Sequence, residues 1–226
     1  QPEQRTVQGE LQRALARISG TEVDVVGCGR TDSGVHARGY VAHFDLENSE
    51  AKLEIKGINA VLPDDVAIHS IERVSDDFHA RYSCYRREYR YYIHAQKDPF
   101  LPELSFRFHR FHKVDPGKLH AAGDLISRYE TFYPFCKSHS GVDHYKCHVF
   151  ESAWLWDEEK GTGVYYVAAN RFLRGMVRLL VGAQLNCALG QLDLGDLEEA
   201  LDKQIRLKKD WSVPAEGLFL EGAFYP

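Results

Sequence analysis

The chain has 226 residues, of which 44% are hydrophobic and 27% charged, a globular composition that excludes a disordered, collagen-like or coiled-coil protein. The length suits one sizeable domain or two small packed ones, and no apolar run approaches the roughly 18–20 residues of a membrane helix. The formal net charge of −5 argues against a uniformly basic surface. It leaves nucleic-acid binding open, because the distribution of charge matters more than its sum.

The first part of the chain predicts a helix, two strands around a glycine-rich turn, a short helix and a third strand. Thr6 can cap the first helix, apolar residues recur at helical spacing over residues 7–18, and Gly20 ends it. The strands are predicted at residues 22–26, 40–44 and 66–74, and the short helix at residues 53–61.

The second part predicts a long aromatic strand, a helix, a hairpin, two further helices and a last strand. In chain order these are residues 84–94, 115–127, 149–156 with 163–169, 172–189, 196–204 and 217–224. Two halves of similar content predict two α+β units with mostly antiparallel sheets. The boundary is expected near residues 76–81, and because no Ser/Gly-rich linker separates the halves, the sheet is expected to continue between them.

Residues 27–37 form a turn whose composition suits chemistry, Gly-Cys-Gly-Arg-Thr-Asp-Ser-Gly-Val-His-Ala. Glycines let the backbone turn sharply and let a ligand come close. An acid flanked by a cation can stay ionised even when it is enclosed, as a carboxylate nucleophile requires, so Asp32 near Arg30 is a candidate nucleophile. The alternative is a plain Asp-Ser-Gly turn in which Asp32 bonds only its own backbone.

Basic residues are grouped along the chain. The groups are Arg81, Arg86, Arg87 and Arg90 among Tyr82, Tyr85, Tyr89, Tyr91 and Tyr92; Arg171, Arg174 and Arg178; and Arg206, Lys208 and Lys209 beside Trp211. Arginine interleaved with tyrosine suits a groove that neutralises phosphates and stacks bases. A strand with outward arginines and inward tyrosines fits the first group equally well.

The five cysteines give no disulfide framework and indicate a reducing compartment; they are Cys28, Cys84, Cys136, Cys147 and Cys187. The start, Gln1-Pro2, shows no signal-peptide pattern. Cys136, His139, His144 and Cys147 have zinc-like ligand chemistry, with a spacing between the pairs that is short for the usual structural sites. The alternative reading of this segment is a plain loop.

Residues 29–37, Gly-Arg-Thr-Asp-Ser-Gly-Val-His-Ala, closely resemble the signature of the TruA family of tRNA pseudouridine synthases. Further blocks follow in the family's order: VAHF at 41–44, NAVLPDDVA at 59–67, DDFHAR at 76–81, YRYYI at 89–93, ANRFLRGMVR at 169–178 and AEGLFL at 215–220. The blocks extend from about residue 6 to residue 226, and on them the chain is identified as a member of this family.

The resemblance implies an α+β fold of two RRM-like or ferredoxin-like subdomains that share a continuous, mostly antiparallel sheet with a central cleft. The subdomains would be residues 1–80, which carry the Asp32 turn, and residues 81–226. The implied activity is a cofactor-free, metal-free isomerase that converts uridine to pseudouridine at positions 38–40 of the tRNA anticodon stem–loop. The implied protein is a cytoplasmic homodimer with no membrane association, in which one tRNA contacts both subunits.

The resemblance also implies roles for individual residues. It makes Asp32 the catalytic nucleophile and Arg178 the basic residue that pairs with it, and it places Arg30 and Tyr89 in the active site. The implied substrate-binding residues are Tyr89, Arg30, Thr31, Arg171 and Arg174.

The chain departs from the family pattern at two points. The family opens with a strand and a Tyr-Asp-Gly…Gly-Trp-Gln segment, and Gln1 aligns just after it, so we expect the first strand to be absent from this chain. A basic residue often precedes the active-site tyrosine, where this chain has Glu88. Two alternatives are a non-catalytic RNA-binding paralogue, which would lose Asp32, and a zinc-dependent hydrolase that uses the Cys/His loop.

Overall fold

A computed structural model describes residues 5–46, 53–138 and 141–226, and the chain divides into two compact units. One unit is Gln1–Arg30 with Val41–Cys84, and the other is Thr31–Tyr40 with Tyr85–Pro226. The division after Cys84 lies close to the one expected after residue 80. The whole turn of residues 27–37 is expected in the N-terminal subdomain, but residues 31–37, which include Asp32, belong to the second unit, because residues 36–37 pair with a strand near the C-terminus.

The described residues contain five α-helices and eight strands, in two hydrogen-bonded sheets. The helices are α1 (Val7–Ser19), α2 (Ile55–Asn59), α3 (Pro116–Ile126), α4 (Met176–Ala188) and α5 (Leu194–Lys203). The strands are β1 (Val25–Gly27), β2 (His36–Ala37), β3 (Ala42–Phe44), β4 (Arg86–His94), β5 (Phe106–Arg107), β6 (Val149–Asp157), β7 (Thr162–Ala169) and β8 (Leu218–Phe224). None of the helices in the described part of the chain combines the length and apolarity needed to cross a bilayer.

The first unit packs α1 and α2 with a two-stranded sheet. Helix α1 has the predicted ends, because the Thr6 side chain accepts a hydrogen bond from the Gly9 amide and Gly20 closes the helix in the left-handed region at φ 77°. Strand β1 pairs antiparallel with β3. The core of the unit consists of Ala14, Leu15, Val23, Val25, Ile58 and Leu62.

The strand expected at residues 66–74 does not form. The Asn59 side chain instead bonds the backbone of Ile68 twice: its amide donates to the Ile68 carbonyl at 2.9 Å, and its oxygen accepts from the Ile68 N–H at 2.8 Å. The segment therefore finds side-chain hydrogen-bond partners in place of a neighbouring strand, while Ile68 and Ile71 pack against the small core.

The second unit contains a six-stranded sheet in the order β2-β8-β4-β7-β6, with β5 beside β4. The three long pairings, β4 with β7, β4 with β8 and β6 with β7, are antiparallel, and the two-residue strands β2 and β5 pair parallel. The predicted α+β class with a mostly antiparallel sheet is confirmed. The described strands nevertheless group into one sheet in each unit instead of the continuous sheet expected, since residues 66–74 supply no strand and β2 pairs with β8.

Helix α4 is the buried centre of the second unit. All its residues are buried except Arg178, and it packs against α3. It begins at Met176, later than the predicted residue 172, because Gly175 takes a left-handed conformation at φ 72° that the helix cannot continue through. Because the rest of the helix is packed in the core, the backbone of Arg178 is held in a fixed position.

A segment that we call the strap, residues 211–215, lies against α4 at Gly182. A β-carbon built on Gly182 would lie 1.6 Å from the Trp211 carbonyl oxygen, so only glycine permits this approach. The strap is also held by the Tyr91 hydroxyl, which donates to the Pro214 carbonyl at 2.8 Å. Burial raises the pKa of the Tyr91 hydroxyl, which keeps it protonated as this donor.

Replacing Gly182 by alanine should destabilise the protein. Alanine raises helix propensity by about 1 kcal/mol, but overpacking of a fixed backbone contact costs about 1–3 kcal/mol, and here it must displace the strap. We expect thermal unfolding, followed by circular dichroism, to show a melting temperature lower by several degrees. Gly57→Ala in α2 is the control, because a β-carbon there meets no atom within 4 Å, and it should leave the melting temperature unchanged or higher. A Gly182→Ala protein as stable as the wild type would contradict the close contact.

Candidate active site

The Asp32 turn is fixed from both ends. The Asp32 carbonyl accepts a hydrogen bond from the Val35 amide at 3.2 Å, and Gly34 takes a left-handed φ of 79°. Val35 packs against the main core, and β2 continues the chain alongside β8. A β-carbon on Gly34 would lie 3.3 Å from the Ala215 side chain, so the strap packs directly against this turn.

The structure brings Asp32 and Arg178, separated by 146 residues, into direct contact. The Arg178 Nη1 donates to Asp32 Oδ2 at 3.0 Å, and the side chains are 17% and 30% exposed respectively. Arg178 Nε donates to the Val213 carbonyl of the strap at 2.7 Å, and its own carbonyl accepts from the Val213 amide at 3.3 Å. The guanidinium is thus oriented by a second bond, and the ion pair is a charge-assisted hydrogen bond in a partly enclosed site.

Lys137 supplies a second cation at the same carboxylate, which sequence reasoning missed. Its Nζ lies 3.8 Å from Asp32 Oδ2. Its amide donates to the Arg174 carbonyl at 3.0 Å, and its aliphatic stem packs over Gly175, where a β-carbon would lie 2.9 Å from it. No sequence motif marks Lys137, which stands in the loop after Cys136, so only the fold reveals it.

The two oxygens of the Asp32 carboxylate have different surroundings. Both cations lie on Oδ2, whereas Oδ1 accepts no hydrogen bond from the part of the chain that the structure describes. A carboxylate anchored through one oxygen presents the other for attack on an electrophile or for stabilising positive charge.

Tyr89 lies on β4, within reach of the strand that supports the Asp32 turn. In the sheet register, Ala37 pairs with Leu220 and Leu220 pairs with Tyr89, which places Tyr89 two strands, or about 10 Å, from the chain that follows Asp32. The β4–β8 register shifts between Glu88 and Tyr89, and such bulges re-aim side chains beside active sites. The Tyr89 ring packs edge-on against Phe172 with centroids 5.0 Å apart.

The other predicted substrate-binding residues lie at different places. Arg30 is exposed and belongs to the first unit, and Thr31 is exposed at the start of the second. Arg174 is exposed beside Lys137, and Arg171 Nη1 lies 3.1 Å from His144 Nε2. Their contacts with a substrate stay predictions.

The arginines of β4 have structural partners. Arg86 Nε donates to Glu88 at 2.7 Å, its Nη2 donates to the Tyr166 hydroxyl at 3.0 Å, and the Glu88 carboxylate raises the pKa of Arg86. Arg87 is buried and donates to the Asn170 carbonyl at 2.9 Å. Glu88 thus serves as the counter-charge of Arg86.

The Cys/His loop is described except for residues 139 and 140, so the predicted ligand His139 lies outside the described residues. Cys136 and Cys147 are buried, and His144 Nδ1 accepts from the Lys146 amide at 3.2 Å. Burial raises the pKa of the Cys147 thiol to about 11. Among residues 5–46, 53–138 and 141–226 no group of three His, Cys, Asp or Glu side chains is placed to hold a metal ion.

Comparison with known proteins identifies the family. A family model described as tRNA pseudouridine synthase matches residues 1–83 and 130–226. Proteins named tRNA pseudouridine synthase A are similar over the full chain: that of Porphyromonas gingivalis is 37% identical, with 90% of its length covered, and those of Bacteroides fragilis and Bacillus subtilis are 36% and 33% identical, with 89% and 92% covered. The chain belongs to the tRNA pseudouridine synthase family, which confirms the resemblance read from its motifs. Tyr89 falls between the two ranges that the family model matches.

The cysteines give a test of the zinc alternative. All five are buried, which limits their access to a reagent, and none is in a disulfide in the part of the chain that the structure describes. Burial raises the pKa of the Cys147 thiol to about 11 and that of the Cys187 thiol to about 12, so these two carry little thiolate at pH 8. We expect a disulfide reagent such as DTNB to label the native protein slowly, with or without a chelator, and to label five thiols in denaturant. Stoichiometric zinc in the purified protein, with fast labelling of two thiols only after chelation, would support a metal site instead.

Proposed function

We propose that this chain isomerises uridine to pseudouridine at positions 38–40 of the tRNA anticodon stem–loop, with Asp32 as the catalytic nucleophile. The observation that carries the proposal is the ion pair between Asp32, inside the family signature, and Arg178, at the start of a buried helix. The family relationship and the names of the relatives support the reaction and the tRNA substrate. We further propose that it acts in the cytoplasm as a homodimer.

The Asp32 carboxylate suits the first chemical step. Pseudouridine formation breaks the bond between the sugar C1′ and the uracil N1, rotates the base and joins C1′ to C5; the C5 proton is lost and N1 gains one. Attack at the sugar and addition to the uracil ring both require an ionised oxygen that no donor blocks. Oδ1 meets this requirement, because the cations lie on Oδ2.

Arg178 acts in this proposal by orienting Asp32. Its guanidinium spans the strap carbonyl of Val213 and the Asp32 carboxylate, so the carboxylate plane is set by a group that is itself fixed. Orientation of this kind contributes to catalysis because a small displacement of a reacting group lowers the reaction rate. A lysine could not reproduce both bonds in one geometry.

Tyr89 and Arg30 complete the proposed site. The target uracil must leave its stack, at a cost of a few kcal/mol, and an aromatic side chain of the site can stack on the extruded base. We assign this stacking role to Tyr89, with help in removing the C5 proton. Arg30, the basic residue of the signature, is assigned to the RNA around the target nucleotide.

Replacing Asp32 by asparagine should abolish turnover and leave tRNA affinity largely intact, because the change removes the charge and keeps the shape. We expect single-turnover release of tritium from C5-labelled uridine in tRNA to fall at least roughly a thousandfold, about 4 kcal/mol of barrier. Asp124→Asn, at an exposed position on α3, is the matched control and should be unaffected. An Asp32→Asn enzyme that keeps a tenth of wild-type turnover would rule out the nucleophile.

Replacing Arg178 by alanine should lower turnover roughly a hundredfold and affinity much less, since the residue serves Asp32. Arg178→Lys should recover only part of the rate, because it retains charge without the two-bond geometry. Single-turnover rates at saturating enzyme, measured beside filter-binding affinities, separate the two effects. Loss of affinity alone would mean that Arg178 contacts RNA and not the catalytic carboxylate.

A further inference from the structure

A groove in the second unit opens beside the catalytic carboxylate. Its cavity measures about 230 Å³ and is bounded by two chain segments, residues 134–138 and 206–211, with Leu179 at its base. The polar and aromatic lining residues that matter here are Phe135, Lys137, Arg206, Lys209, Asp210 and Trp211. Of these, the proposed mechanism uses only Lys137, as a cation on Asp32 Oδ2.

The lining carries an excess of positive charge: three cations face one carboxylate. Arg206 donates to the Cys136 carbonyl at 2.8 Å and lies over the Tyr133 ring, and Lys209 lies over the Trp211 ring at 5.2 Å. Within the described residues, neither cation forms an ion pair with a carboxylate. The Asp210 side chain accepts from the Ser212 amide at 2.9 Å. Uncompensated cations along a groove attract an anionic ligand.

Lys137 connects the groove to the active site. It lines the cavity, and its Nζ lies 3.8 Å from Asp32 Oδ2, too far for a hydrogen bond. Its backbone bond to Arg174 and the packing of its stem on Gly175 fix its approach. Lys137 therefore presents ammonium protons to a ligand that lies between Asp32 and the groove.

The strap connects the far side of the groove to the same site. Trp211, its first residue, lines the groove, while Val213 bonds Arg178 and Ala215 packs on the Asp32 turn. One short segment of five residues thus contributes the aromatic wall of the groove and contacts both the arginine and the turn that position the carboxylate.

We propose that this groove is a second nucleotide subsite, which binds the nucleotide next to the target uridine with a phosphate on Lys137 and Lys209 and a base against Trp211. The proposal rests on the function proposed above. A ribose held at Asp32 is only a few bonds from its own phosphates, so the neighbouring phosphate falls within reach of Lys137. Cations that follow the backbone and an aromatic side chain for the adjacent base are the pattern of single-stranded RNA grooves. Arg206, whose guanidinium is engaged with the Cys136 carbonyl, holds the groove wall in place.

The first experiment measures affinity for an anticodon stem–loop RNA by fluorescence anisotropy as a function of salt. Lys137→Gln and Lys209→Gln should each weaken binding, and each should flatten the slope of log affinity against log salt by about one. Lys118→Gln, exposed on α3 away from the groove, is the matched control and should leave the slope unchanged. Unchanged slopes for both groove variants would overturn the proposal.

The second experiment tests the base contact and the role of Lys137. Trp211→Ala should weaken binding about tenfold, and Trp211→Phe should restore most of it, because a smaller ring still stacks. Equal losses in the two variants would indicate a purely structural tryptophan. Because Lys137 also lies 3.8 Å from Asp32 Oδ2, the single-turnover rate of Lys137→Gln at saturating enzyme is measured beside its affinity. A large loss of rate at unchanged affinity would mean that Lys137 serves Asp32 and not a phosphate.

Two further arms separate the possible causes of failure. Inorganic phosphate should compete with RNA no better than chloride of the same ionic strength; specific competition at low concentration would mean a site for small anions. Wild-type tritium release in the same preparations tests the proposed function. If the wild type forms pseudouridine and the groove variants bind normally, the subsite alone is wrong, whereas tight RNA binding with no pseudouridine formed refutes the function.

Discussion

The hydrogen-bonded ion pair of Asp32 and Arg178 joins a surface turn to the most deeply buried helix of the protein. A flexible surface arginine would hold a carboxylate poorly, because fixing both side chains offsets much of the Coulomb gain. Here Arg178 is the one residue of α4 that is not buried, and the strap carbonyl of Val213 orients it. The position of the carboxylate is therefore set by core packing, with Gly182 allowing the strap to approach. Changes far from the turn, in the packing of α4, should reach the site through this pair.

The surroundings of Asp32 also concentrate positive potential on one side of the carboxylate. Arg178 lies in the first turn of α4, where the helix dipole disfavours a cation by about 0.3–1 kcal/mol and favours an anion by a similar amount. Asp32 offsets this cost through its ion pair with Arg178, and Lys137 adds a second cation on the same oxygen. The other oxygen accepts no hydrogen bond from residues 5–46, 53–138 and 141–226. The site thus combines a charge that is stabilised with an atom that can react, and the basic groove extends the same positive field along the path proposed for the RNA.

Local chemistry in the sequence predicted much of the fold. The cap at Thr6 and the stop at Gly20 are interactions between near neighbours, and the predicted α1 has these ends in the structure. The prediction of a strand at residues 66–74 was wrong. The apolar residues of this segment pack against the core of the first unit, but no neighbouring strand pairs with its backbone. Whether a strand has a partner depends on tertiary contacts, which the local sequence does not contain. Arg178, seen alone, resembles an ordinary solvated charge, and only the family resemblance assigned it to Asp32. No local sequence pattern predicted that Lys137 would lie beside Asp32. Its position depends on a loop that folds back over residues 174–175.

Chemical rescue tests most directly whether the guanidinium of Arg178 acts through Asp32. The single-turnover rate of pseudouridine formation would be measured for Arg178→Ala with guanidinium added at millimolar, non-denaturing concentrations, with urea as the neutral control of similar shape. Guanidinium, but not urea, should raise the rate of Arg178→Ala, and neither should raise the rate of Asp32→Asn. A rate for Arg178→Ala that stays constant with guanidinium, in a protein that still binds tRNA, would contradict the central role of this ion pair.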